Sequence, residues 1–329
     1  MLFTAICFRI VVGACLCTAQ IRAAPQAVIP LRRDALDLQT PATAALVPNT
    51  NDLKAGHLER RAPTEVVDDR TQKWRQQLEE TPWIDLEGWK GYDQQVKDID
   101  FYDLSKKVAK MKRLPEVGED KLIFTLPADV RYSVESRSGK TYEGDQLVLK
   151  LVSMGARNGH WRFTHEAAAL AKVGQLVEAG SINSQSYGVI VMLKQKGKPL
   201  HKYPKMISAS TPLTSKIKVY FRVQDRVCSQ IYDWVEQYGM LFSDANPLNI
   251  LVELQDDPFE LKAVHLVDLG PEGLMGVNHV PTIEEFIDWF IPRWNLLWEH
   301  FTQLPDFELT VSNACPTLRK RLHRSRKHS

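Results

Sequence analysis

Apolar and polar positions change rhythm several times along this chain, and each change marks an element. From about residue 120 the apolar residues come in short β-rich runs: DKLIFTLP (120–127), VRYSVES (130–136) and QLVLKLVS (146–153). RSGKTYEGD, with Gly139 and Gly144, separates the last two as a turn, so a small antiparallel sheet is predicted. FTHEAAALAKVGQLVEAG (163–180) then carries Ala, Leu and Glu at helical spacing and predicts a helix that stops at Gly180, a residue favoured just past a helix end. A strand follows over YGVIVMLKQ (187–195), and an amphipathic helix over 214–238, with Ile217, Phe221, Val227, Ile231 and Trp234 on or near one face. SDANPLNILVE reads as a loop entering a strand, and LKAVHLVDLGPEG (261–273) as a second strand ending in Asp268-Leu269-Gly270. The turn LQDDPFE joins them, which brings Asn249 and Asp268 together at the mouth of a hairpin. A last helix is predicted over 282–301, with Phe286, Phe290, Trp294, Leu297 and Trp298 in the core.

Upstream the pattern differs. Residues 1–23 form a short apolar run interrupted by Arg9 and ending in small residues, the form of a cleaved signal peptide and too short for a membrane anchor. Residues 24–63 are rich in Ala, Pro, Thr and Asn and carry Arg32-Arg33 and Arg60-Arg61. They cannot bury enough apolar area to offset their ordering entropy, so they read as a flexible leader or pro-region. Residues 64–115 predict two or three helices broken at Pro82 and Pro115, docked on the following domain, with Trp74, Trp83 and Trp89 as core or docking anchors.

Composition is that of an ordinary globular protein, 44% hydrophobic and 25% charged over 329 residues. The net charge is +2, and six Lys or Arg sit in residues 319–329, so the rest carries about −4 by subtraction and is no polyanion binder. The basic tail reads as a solvated, disordered terminus, or else as a localisation or anionic-surface patch. Cys7, Cys15 and Cys17 would leave with the signal; Cys228 and Cys315 remain, either as a disulfide in an oxidising compartment or as two free thiols. No zinc-type Cys/His spacing is present.

A strand Lys, a helix Glu, an Asp-x-x-x-x-Asn loop and an Asp-x-Gly turn occur in that order: Lys150 in LVLKLV, Glu166 in HEAAAL, Asp244 and Asn249 in SDANPLNIL, and Asp268 in VDLG. In this the chain resembles the protein-kinase-like fold over about residues 120–300. The resemblance implies an α+β bilobal protein, with a small antiparallel β N-lobe (116–195) and a shortened, mainly helical C-lobe (196–318). It implies ATP and Mg²⁺ as cofactors. Lys150, fixed by Glu166, would meet the α- and β-phosphates, Asn249 and Asp268 would hold the metal, and Asp244 would orient the acceptor hydroxyl and take its proton. Val191 and Met192 would border the adenine, with Leu193, Lys194 and Gln195 as the hinge.

The departures bear on the substrate. Phe242 stands where the family has a His two positions before the catalytic Asp, and LPADVRY, placed between the first strands, has no glycine to let backbone N–H groups approach phosphates. DANPLN is also similar to small-molecule kinases of the aminoglycoside and choline type. The short C-terminal lobe resembles compact kinase-like effectors secreted by pathogens, fungal in style, which implies a secreted monomer with a protein substrate, in that case a host protein. Three functions stay open on sequence: a phosphotransferase acting on protein hydroxyls, a small-molecule kinase, and an inactive kinase-shaped scaffold. Nucleic acid is not an expected partner and no membrane span is expected.

Overall fold

The computed structural model describes residues 76–113, 122–135, 139–155, 158–182, 187–298 and 314–326, all within the unit Arg60–Ser329. The expected signal segment, the leader with its Arg pairs, Trp74 and residues 327–329 lie outside them. Helical residues 76–79 lead into β1 (Ile84–Asp85), α1 (Tyr92–Lys97), β2 (Phe101–Asp103), β3 (Lys112–Arg113), β4 (Ile123–Thr125), β5 (Arg131–Ser133), β6 (Thr141–Glu143) and β7 (Leu147–Ser153). Then come α2 (Gly159–Lys172), β8 (Leu176–Ile182), β9 (Tyr187–Leu193), β10 (Lys198–Pro199), a helical turn at Pro204–Ile207, and the long α3 (Leu213–Tyr238). The chain continues through β11 (Met240–Phe242), β12 (Ile250–Gln255), β13 (Glu260–Leu266), β14 (Leu274–Val277), α4 (Ile283–Trp298) and α5 (Pro316–Ser325). The fold is α+β. Among the described residues no helix is long and apolar enough to cross a membrane.

Six strands form the main sheet in the order β2-β8-β9-β7-β4-β3, antiparallel throughout except for the parallel pair β2 and β8. Strand β7 alternates, with Leu147, Leu149 and Leu151 buried in a cluster shared with Leu104, Val108, Leu126 and Val191. A second, larger cluster joins α2, α3 and α4 with the small sheets β1-β14-β11 and β10-β12-β13. Its aromatic spine runs along α4, where Trp294 and Trp298 stack at 4.3 Å and the indole of Trp294 donates to the Tyr220 hydroxyl. The predicted helix at 214–238 matches α3 to within one residue, because Gly239 takes φ 63° and caps the last turn.

Several expectations are overturned. The helix predicted to run to Gly180 ends at Lys172, beside Gly174 at φ 72°, and LVEAGSI is strand β8. Gly180 is a packing glycine instead: a Cβ there would lie 2.0 Å from the Tyr102 carbonyl oxygen on β2. The segment expected to be helical supplies strands β1, β2 and β3 besides α1; Trp83 and Trp89 are buried anchors, as expected. Thr141–Glu143, taken as part of a turn, pairs with Arg131–Ser133 as a separate hairpin. β4 pairs not with β5 but with β3, so LPADVRY leaves the main sheet, and the connection between its first antiparallel strands is 114–122, which contains Gly118. The basic tail is ordered over most of its length as α5, whose Leu318 is buried and whose Thr317 and Arg321 bond Asp225 and Asp233 on α3. Cys228 and Cys315 form a disulfide that ties the start of α5 to the middle of α3.

Candidate active site

Lys150 sits on β7 between the buried leucines, so its side chain leaves the sheet on the opposite face, toward α2. Its Nζ lies 2.8 Å from Glu166 Oε1 and 2.8 Å from Asp268 Oδ1. Glu166 lies in the stretch 163–170 of α2, every residue of which is buried, and its carboxylate is placed by helical packing. Asp268 follows β13 by two residues and adopts φ 62°, a left-handed conformation that Asp tolerates better than most residues. That conformation, with the neighbouring Leu269 fully buried, holds the Asp268 carboxylate on Lys150.

Burial alone would lower the Lys150 pKa, but the two carboxylates outweigh it, and the ammonium is held protonated well above the usual lysine range. Glu166 is pushed up, first by burial and then by the nearby charges of Asp268 and Glu272, against the pull of Lys150. One ammonium thus serves two carboxylates.

Asp244 and Asn249 flank the same region. The backbone hairpin expected from the sequence is present: Ile250 pairs with Leu266, and the Val267 N–H donates to the Asn249 carbonyl at 2.9 Å. Asn249 Nδ2 donates to Asp244 Oδ2 at 2.8 Å and to the Asp244 carbonyl at 3.2 Å, while Asn246 Nδ2 donates to Asp244 Oδ1 at 2.8 Å. Both carboxylate oxygens of Asp244 are therefore oriented by amides, and Asn249 presents its carbonyl oxygen on its remaining side.

Four further residues shape this loop. Gly273 packs where a Cβ would come within 2.8 Å of the Asp244 Cβ, and its carbonyl accepts from the Ser243 N–H at 2.8 Å. Arg293 on α4 donates from Nε to the Ser243 carbonyl at 3.2 Å; burial lowers its pKa to about 10 while the charge of Asp244 opposes the shift. Trp298 donates to the Ala245 carbonyl. Arg162 on α2 pairs with Glu272 at 2.7 Å, which ties α2 to the segment after Asp268. Phe242, two positions before Asp244, is fully buried against Trp234 and offers the loop no hydrogen bond; α4 and Gly273 anchor it. An arginine in an otherwise apolar run, FIPRW, was the available sequence signal for Arg293; nothing local marks Asn246 or Gly273.

The residues assigned to the nucleotide base divide. Val148 and Lys150 pair with Met192 and Ile190, so the Met192 side chain shares the sheet face of Lys150. Leu193 pairs with Leu147 and points to the other face, and the N–H groups of Leu193 and Lys194 are spent on the Gln175 and Gln146 carbonyls. The structure thus brings the Met192 side chain to the Lys150 side and puts that of Leu193 on the other, while for Lys194 it shows only that the backbone N–H is paired.

Among the described residues no group of three His, Cys, Asp or Glu side chains is placed to hold a metal. Asn249 and Asp268 still suit Mg²⁺: both offer oxygen, and this ion is commonly held by one or two protein ligands together with water and phosphate. No protein-family model matches the chain, and no curated protein is detectably similar to it.

Proposed function

We propose that the chain is a secreted phosphotransferase of the bilobal protein-kinase-like fold, using ATP with Mg²⁺ and delivering the terminal phosphate to a hydroxyl of a protein substrate. The observation that carries this reading is the position of Lys150, joined at 2.8 Å both to a carboxylate 16 residues on in α2 and to one 118 residues on, past the hairpin. A strand, a helix and a turn converge on one cation. Phosphoryl transfer asks a protein mainly for positioning and charge neutralisation, and such a cluster is suited to both. Lys150 would meet the phosphates with its rotamer held by Glu166, and Met192 would lie against the base. Asn249 and Asp268 would hold Mg²⁺, which would supply neutralisation of the phosphate charge. Asp244, oriented through both oxygens by Asn246 and Asn249, would position the acceptor hydroxyl and receive its proton.

The Cys228–Cys315 bridge is compatible with an oxidising compartment and thus with secretion.

Thermal unfolding tests the reading. ATP with Mg²⁺ at a hundredfold excess over Kd is expected to raise the melting temperature by about 5 °C or more. Asp268→Asn, which keeps a residue tolerant of the left-handed backbone, is expected to abolish the Mg²⁺ dependence. The absence of any Mg²⁺-dependent shift in the native chain would falsify the enzyme reading.

A further inference from the structure

Residues 83–108, which include the edge strand β2 of the main sheet, touch α2, the end of α3, α4 and β14 around the candidate site. At one end Trp83 packs on Trp289 and Phe286 at 5.6 and 6.4 Å, β1 pairs with β14 just after the Asp268 turn, and Asn278 Nδ2 donates to the Ile84 carbonyl. Trp89 donates from Nε1 to the Tyr238 carbonyl at the end of α3. In the middle, the Tyr92 hydroxyl lies 2.6 Å from Thr164 Oγ1, and its ring stacks on His165 at 4.9 Å and 21°. Thr164 and His165 are the two residues before Glu166. At the other end β2 lies parallel to β8, Leu104 and Val108 enter the sheet-side cluster, and Lys107 meets the buried Glu178 at 3.0 Å.

We infer that residues 83–108 are a strap that positions α2, and that Tyr92 is a positioning residue acting through Thr164 and His165 on the Glu166–Lys150 pair. The inference rests on the phosphotransferase reading only for what Glu166 does there. Its physical basis is the burial of α2. Residues 163–170 are buried on all sides, which a helix lying on one sheet cannot achieve unless something covers its outer face. Tyr92 and Trp89 form part of that cover. At this contact His165 Nδ1 is buried and makes no hydrogen bond to the described residues, so packing alone holds that edge of the ring. One residue of α2 is 100° of rotation, so a small turn of the helix would carry Glu166 away from Lys150. The strap also holds β14, and Arg162 on α2 holds Glu272, so α2 and the Asp268 segment are fixed to each other from two sides.

Amide hydrogen exchange on the full chain, with Tyr92→Phe and Tyr92→Ala, tests this. Loss of the hydroxyl is expected to speed exchange in α2 about threefold and loss of the ring about tenfold, with α3 unchanged, because local opening follows the contacts that are lost. Affinity for ATP with Mg²⁺ is expected to fall about fivefold when Tyr92→Ala is made in the native chain but not when it is made in Glu166→Gln, since residues acting through one another are non-additive. Unchanged α2 protection in both variants, uniform loss of protection that includes α3 in Tyr92→Phe, or additive effects on affinity would each overturn the strap. Should Tyr92→Ala fail to fold, Tyr92→Phe decides. If the native chain binds no ATP, the phosphotransferase reading fails, and the exchange pattern alone decides whether the strap holds α2.

Discussion

Lys150 between Glu166 and Asp268 shows how a residue of ordinary type acquires a special position. An isolated Lys in an apolar strand would snorkel to water, whereas here two carboxylates hold it, and its removal would take the cation from the buried Glu166. Its order relative to Glu166, Asp244, Asn249 and Asp268 could be read from the chain; the amide bonds that orient Asp244 could not, since Asn246 looks like any loop asparagine. His165 carries a prediction of its own. Enclosed by Tyr92, Trp161 and Trp89, its imidazole is pushed down by burial from 6.5 to about 4. The folded state therefore resists the proton that the unfolded chain takes up below pH 6.5. Stability from this group is complete above that pH and is lost as pH falls toward 4, by about 2 kcal/mol at pH 5. Denaturant melts from pH 7 to 5 should show a shallower decline in His165→Phe. Burial pushes His201 in the same direction, so the comparison is of slopes. Equal slopes would mean that His165 is not buried as described.

At the scale of elements, the long helix and the strands β4, β5, β7, β9, β12 and β13 were legible, whereas β1, β2, β3, β6 and β8 were not. The 214–238 periodicity predicted α3 because its apolar stripe and Gly239 agree. VGQLVEAG misled because its Ala, Leu and Glu favour a helix, while its conformation is decided by pairing with β9 and β2, elements distant in sequence. Glu178, a helix former on local grounds, is tolerated in that strand because Lys107, Tyr132 and the Glu135 N–H satisfy it. Gly180→Val is expected to destabilise the chain by about 1–3 kcal/mol, since the new side chain meets the Tyr102 carbonyl on β2. Limited proteolysis should then cut first near residues 100–113. A variant as resistant as the native chain would show that β2 does not pack on β8 this closely.

For the whole molecule, the Cys228–Cys315 bridge closes a span of 87 residues that includes Asp244, Asn249 and Asp268. Cross-links of that span restrict the unfolded chain by about 4.6 kcal/mol in the chain-entropy account. Cys228→Ala with Cys315→Ala should lower the denaturation midpoint accordingly and free α5, read as loss of exchange protection at 316–325. Persistence of both would mean that Leu318 and the pairs of Thr317 and Arg321 hold α5 unaided. Three of the basic residues expected to float in solvent are engaged in this way: Arg319 with the Ala314 carbonyl, Arg321 with Asp233 and Arg326 with Glu284.

By itself the sequence determined the α+β class, the long capped helix, the hairpin and the order of the charged and amide residues, because each depends on local periodicity, turn chemistry or spacing. Tertiary structure alone decided that 176–182 is a strand, that the segment expected to be helical is stitched into two sheets, that Arg293 reaches the Asp244 loop, and that Lys150 bridges two carboxylates. Those outcomes turn on partners far away in sequence, where burial and pairing outweigh local propensity.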